Sequence, residues 1–123
     1  MAIIAKVLVG LIALEHIYIL ILEMFLWTTP RGMAAFGTTE QFARDSAVLA
    51  ANQGLYNGFL AAGLAWSLIA PKEFGQQLML FFLGCVLVAG LYGGFTANTR
   101  IFFVQALPAA IALAAVLFAR SRG

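Results

Sequence analysis

The chain has 123 residues, 63% of them hydrophobic and 10% charged, with a formal net charge of +2. Soluble domains carry about 25% charged residues, and a chain this short has too little interior to hide so much apolar surface from water. A water-soluble domain is therefore excluded, and the small positive excess reads as membrane topology, with no nucleic acid among the expected partners.

The expected architecture is all-α: an integral membrane four-transmembrane-helix bundle of up-down topology, one membrane domain over residues 1–123, with both termini on the same side. Four segments reach or approach the ~20 apolar residues that cross ~30 Å of hydrocarbon; they cover approximately residues 3–27, 47–70, 77–97 and 101–119. The first is too long for a signal peptide, and no small-residue cleavage site follows it.

Near the middle of the first segment stand Glu15 and His16, with Glu23 two turns further on. A charged side chain at that depth costs about 2.5–3.5 kcal/mol on insertion scales, so such residues are rarely kept without a role. At about 100° per residue His16 and Glu23 share a face of the helix, about 10 Å apart along its axis, and Glu15 extends that arc by about a quarter turn. The helix should end in the run Trp27-Thr28-Thr29-Pro30-Arg31-Gly32, where threonine, proline and glycine all oppose continuation. Residues 31–46 then form the one substantial loop. Within it Thr38 with Gln41 reads as a capping box, and Glu40 with Arg44 stands in the favourable i,i+4 order.

The second segment carries the polar complement. Asn52, Gln53, Tyr56 and Asn57 fall within an arc of about 140°, with Gly54 and Gly58 expected on the opposite side. Lipid offers no hydrogen-bond partners, so these side chains should seek them on other helices. Matching depth pairs Glu15 or His16 with Asn57 and Tyr56, and Glu23 with Asn52 or Gln53. An ion pair of Glu23 with Arg31 or Arg44 is the alternative. A tight turn at residues 71–75 leads to the third segment, which ends with Tyr92, Thr96 and Asn98. Cys85, the lone cysteine, reads as a packing residue. Only Asn98-Thr99-Arg100 separates the last two segments, so they should be antiparallel neighbours. Gln105 stands near the start of the fourth segment, and Pro108 should kink it.

Gly54 with Gly58, and Gly90 with Gly94, each make a GxxxG pair that lets helices approach closely and could serve a homo-oligomer. Lys6, Lys72, Arg120 and Arg122 lie on the side of the termini, and Arg31, Arg44 and Arg100 on the other. The positive-inside rule then favours cytoplasmic termini in a bacterial inner membrane.

Glu15, His16, Glu23, Asn52, Gln53, Tyr56, Asn57, Tyr92 and Gln105 are thus the candidate ligand-binding residues. No metal site or cofactor is expected, because one histidine and two carboxylates at this spacing form no recognised ligand pattern. Serine, histidine and aspartate are not arranged for nucleophilic catalysis either. The expected function is binding, or transport, of a small lipophilic or cationic molecule by Glu15, with His16 modulating it and the helix-2 amides orienting it. An intramembrane acid–base enzyme acting on a lipid-like or quinone-like substrate is the alternative. A non-catalytic scaffold subunit, in which the same residues only lock helix register, is the third.

The strings AKVLVGLIALEHIYILILEMFLWTTPRG, LAANQGLYNGFLAAGLAW and FFLGCVLVAGLYGGFT together resemble a bacterial membrane-protein family, domain-of-unknown-function 1304. The most specific pieces are Glu15-His16, Glu23 through Gly32, and Asn52-Gln53-Gly54 with Tyr56-Asn57. The resemblance covers nearly the whole chain and implies a compact four-span inner-membrane protein. It implies no activity.

Overall fold

A computed structural model describes residues 2–123, and every regular element among them is helical. In order these are α1 (Ala2–Met24), α2 (Pro30–Phe36), α3 (Glu40–Asp45), α4 (Ala47–Ile69), α5 (Lys72–Thr96), a π-helical turn (Phe102–Ala106) and α6 (Leu107–Arg122). Three helices are long and apolar enough to cross a membrane: α1, α5 and the continuous stretch Phe102–Arg122. The four expected segments all form long helices, but α4, with 23 residues, is not among those three. Asn52, Gln53, Tyr56 and Asn57 interrupt its apolar run.

Several boundaries move. α1 stops at Met24, three residues before the expected end, in a widened turn where the Ile21 carbonyl accepts from both the Phe25 and Leu26 amides. α5 starts five residues early, at Lys72, directly after Pro71. The proline lacks an amide that the first turn would leave unpaired anyway, and Glu73 suits the positive end of the helix dipole.

The chain forms two compact units, Met1–Ala13 with Ala62–Gly123, and Leu14–Ala61. In the first, α5 lies against the π turn and α6. A Cβ added to Gly90 would stand 2.6 Å from the Ala106 amide nitrogen, and one added to Gly94 would run into the Phe102 ring. Leu64, Leu83, Val86 and Val116 fill the interior of this unit. Where a kink is expected at Pro108, the helix carries a π turn instead. Proline has no N–H for the Val104 carbonyl, and its ring crowds that carbonyl, so the stretch Phe102–Ala106 around it widens into π geometry.

The second unit holds the connection between α1 and α4. Residues 31–46 are not an open loop, since α2 and α3 occupy most of it. Thr29 caps α2 by accepting from the Gly32 amide at 3.2 Å, Pro30 takes the first helical position, and Gly37 ends the helix at φ 67°. Left-handed backbone of this kind favours glycine. The cap of α3 is Thr39, which accepts from the Phe42 amide at 3.1 Å, and not Thr38 as the capping-box spacing suggested. Thr38 Oγ1 is buried with no hydrogen-bond partner. Glu40 and Arg44 do pair across one turn. Thr39→Ala should therefore cost about 1 kcal/mol of stability, the usual worth of a threonine cap, whereas Thr38→Ala should cost less. Thermal unfolding of the two variants side by side tests the assignment.

Candidate functional site

The polar residues of α1 and the first half of α4 lie in the unit Leu14–Ala61. Here the helices run antiparallel and close, because α4 presents glycine where α1 presents bulk. A Cβ on Gly54 would meet Met24 Cγ at 2.7 Å and Glu23 Cβ at 3.0 Å, and one on Gly58 would meet Leu20 Cδ1 at 2.7 Å. The approach places the Glu23 carboxyl against the carboxamides of α4. Gln53 Nε2 donates to Glu23 Oε2 at 2.9 Å, and Asn57 Nδ2 donates to Oε1 at 2.7 Å. Each carboxyl oxygen thus takes one amide donor. Glu23 itself is only 2% exposed.

This is a clamp between helices. It corrects two parts of the expected pairing. Asn57 serves Glu23, and the arginines proposed as partners for Glu23 are engaged elsewhere: Arg44 with Glu40, and Arg31 Nε with Tyr18 Oη at 3.3 Å. The glycines also do not face away from the polar arc. Taking Gln53 as zero, Asn57 stands at about 40°, Gly54 at about 100° and Gly58 at about 140° around the helix, so they form one contiguous packing face. Asn52 and Tyr56 fall on its other flank. The Asn52 amide donates back to its own helix at the Val48 carbonyl, at 2.9 Å. Tyr56 is 62% exposed and stacks edge-on against Phe59.

Glu15 and His16 stand two turns below the clamp on α1. His16 is fully buried, and its Nδ1 lies 3.8 Å from Glu15 Oε1. That distance is beyond hydrogen bonding. Glu15 Oε1 is buried with no hydrogen-bond partner, while the Glu15 side chain as a whole keeps 27% of its surface exposed. The two glutamates of α1 therefore differ in kind. Glu23 is saturated by protein donors, and Glu15 has an oxygen left over. A carboxyl oxygen in that state can hold a proton or accept from an N–H or O–H of a bound molecule.

Tyr92 and Gln105 belong to the other unit. Tyr92 is 72% exposed on a mostly apolar face of α5 shared with Phe81, Cys85 and Val88. Gln105 lies in the π turn, half-buried and engaged with the protein. No group of three or more histidine, cysteine, aspartate or glutamate side chains among the described residues could hold a metal ion. Sequence reasoning passed over Tyr18, one turn beyond Glu15 on the same helix, whose hydroxyl takes Arg31 and whose ring lies 6.0 Å from the guanidinium carbon. The i,i+3 spacing from Glu15 was the available signal.

Sequence comparisons cover nearly the whole chain. A family model described as protein of unknown function (DUF1304) matches residues 10–117. Uncharacterized protein YpaA of Lactococcus lactis subsp. lactis (strain IL1403) is 32% identical over 120 residues, which cover 96% of this chain and 100% of that protein. No solved structure matches the chain.

Proposed function

We propose that this chain, which belongs to the DUF1304 family of proteins of unknown function, is a four-span protein of a bacterial plasma membrane that binds a small lipophilic cation at Glu15. The observation that carries the reading is the buried Glu15 Oε1, which has no hydrogen-bond partner and stands 3.8 Å from Nδ1 of the buried His16. In hydrocarbon an unsatisfied polar atom is costly, so its retention argues for a partner that comes and goes. A cationic N–H or onium centre on an apolar body supplies both the missing interaction and the lipid solubility needed to arrive. The Glu23–Gln53–Asn57 clamp serves as the frame that fixes α1 against α4.

The same clamp supports α4 as the fourth span. With 23 residues it extends about 35 Å, enough to cross the hydrocarbon core. Its amides cost less in lipid than their hydropathy implies, since Gln53 and Asn57 each donate to Glu23 and Asn52 donates to its own backbone. Both termini then lie on one side, and the basic residues Lys6, Lys72, Arg120 and Arg122 make that side cytoplasmic.

Binding of tetraphenylphosphonium to the full chain in phosphatidylcholine nanodiscs, followed by equilibrium dialysis, tests the reading. Glu15→Gln should weaken binding about tenfold or more, the worth of about 1.4 kcal/mol, whereas Glu40→Gln should leave it unchanged. A proton competes with the cation for the same carboxyl, so wild-type affinity should fall as pH falls and the Gln variant should lose that dependence. Equal affinity and equal pH dependence in wild type and Glu15→Gln would end the proposal.

A further inference from the structure

The unit formed by Met1–Ala13 and Ala62–Gly123 holds a cavity that the cation site does not use. A cavity of about 170 Å³ opens among the start of α1, the end of α4, the start of α5 and the end of α6. Its walls are apolar: Ala5, Leu68, Met79, Val116 and Ala119. Lys6, Lys72 and Gln76 add polar side chains to the lining. The one polar residue deep in the wall, Ser67, is 2% exposed, and its hydroxyl already donates to the Leu64 carbonyl. The interior therefore asks for hydrocarbon and not for water, although its volume is several times the ~30 Å³ that a water molecule occupies.

The charges at this cavity are unbalanced. Glu73 is the acidic side chain nearest in sequence, and it is engaged by Arg120 at 3.3 Å. Neither Lys6 nor Lys72 pairs with an acidic side chain among the described residues. Two unpaired ammonium groups thus share a cavity whose walls are greasy. Both residues are exposed, and both belong to helix ends, where a lysine in a spanning helix meets the headgroup layer.

We propose that this cavity binds the head and the first methylenes of an anionic acyl amphiphile. The carboxylate or phosphate sits between Lys6 and Lys72, Gln76 donates a neutral hydrogen bond, and the chain enters among Ala5, Leu68, Met79 and Val116. A bare anion would leave the apolar walls unfilled, and a cation would be repelled by the lysines. Either a free fatty acid or an anionic phospholipid of the bilayer carries this chemistry.

Trp66 provides the readout, because it adjoins the cavity-lining Ser67 and stacks on Phe74 with ring centroids 5.3 Å apart. In a Trp27→Phe background it is the only tryptophan, since the chain has two. The full chain in phosphatidylcholine nanodiscs is titrated with decanoate, decyl phosphate, decyltrimethylammonium and inorganic phosphate while Trp66 fluorescence is followed. Decanoate and decyl phosphate should give saturable changes, and the other two should not. Lys6→Gln with Lys72→Gln should raise the apparent Kd at least about tenfold; both side chains are exposed, so the variant should fold normally. Val116→Phe, which fills the cavity, should abolish the response. Discs containing phosphatidylglycerol separate the sources: loss of the decanoate response there assigns the site to the bilayer lipid, and its persistence assigns it to the free acid. A response that ignores both lysine substitutions, that decyltrimethylammonium reproduces, or that inorganic phosphate alone matches would overturn the proposal.

Discussion

Gly90→Ala is expected to destabilise the protein, by up to about 2 kcal/mol, whereas Gly84→Ala, in the same helix, should stabilise it slightly. Both substitutions gain up to about 1 kcal/mol of helix propensity. They differ in what the new methyl meets. At Gly84 nothing lies within 4 Å, so the propensity gain stands alone. At Gly90 the methyl would sit 2.6 Å from the Ala106 amide nitrogen and 2.8 Å from its Cα. Those are backbone atoms, and they cannot rotate aside as a side chain would. The π turn must then shift, and over-packing of this kind costs about 1–3 kcal/mol. Net loss at Gly90 and net gain at Gly84 should appear as opposite shifts in Tm in detergent. Equal shifts at the two positions would mean that α5 and the π turn do not touch as described.

Glu23→Ala is the second large effect. It removes both acceptors of the clamp, takes from the Gln53 amide its bond to α1, and leaves Asn57 Nδ2 only its 3.2 Å bond to the Gln53 carbonyl, in a setting that lipid cannot repair. An orphaned polar group costs about 1–3 kcal/mol, so a loss of about 1–3 kcal/mol is expected. Asn57→Leu removes one donor and should cost about half as much. Glu23→Gln should recover only part of the loss, because a carboxamide offers one acceptor oxygen where the clamp uses two. The decisive measurement is a double-mutant cycle between positions 23 and 57 in a detergent unfolding titration. Direct partners should couple by about 1 kcal/mol, and strict additivity would remove the clamp. Glu15→Gln supplies the contrast. Its Oε1 has no hydrogen-bond partner to lose, so stability should hardly change while cation binding falls.

These two pairs of residues show where sequence reasoning worked and where it stopped. The GxxxG spacings correctly marked Gly54, Gly58, Gly90 and Gly94 as places of close approach, since only small residues let helix backbones meet. Spacing is silent about the partner. Leu20, Glu23 and Met24 fill the first pair, Ala106 and Phe102 the second, and neither set has a signature of its own. The polar strip was legible for a similar reason: amides in an apolar helix need donors or acceptors elsewhere. Its register was not. Depth matching set Asn57 against Glu15, and the packing of Gly54 onto Met24 slides it to Glu23 instead.

Length, hydropathy and punctuation by proline and glycine alone determined that this chain is helical, that it has four long helical segments, three of them long and apolar enough to cross a membrane, and, to within a few residues, where their connections fall. Those properties are local, fixed by each residue's own preference for lipid and for helix. Only the tertiary structure decided that Glu23 is spent on holding two helices together while Glu15 keeps an oxygen unpaired, and that Pro108 acts by widening the turn before it. Two glutamates eight positions apart on one helix look alike in sequence. What separates them is the pair of amide side chains that packing brings within 3 Å of one and not of the other.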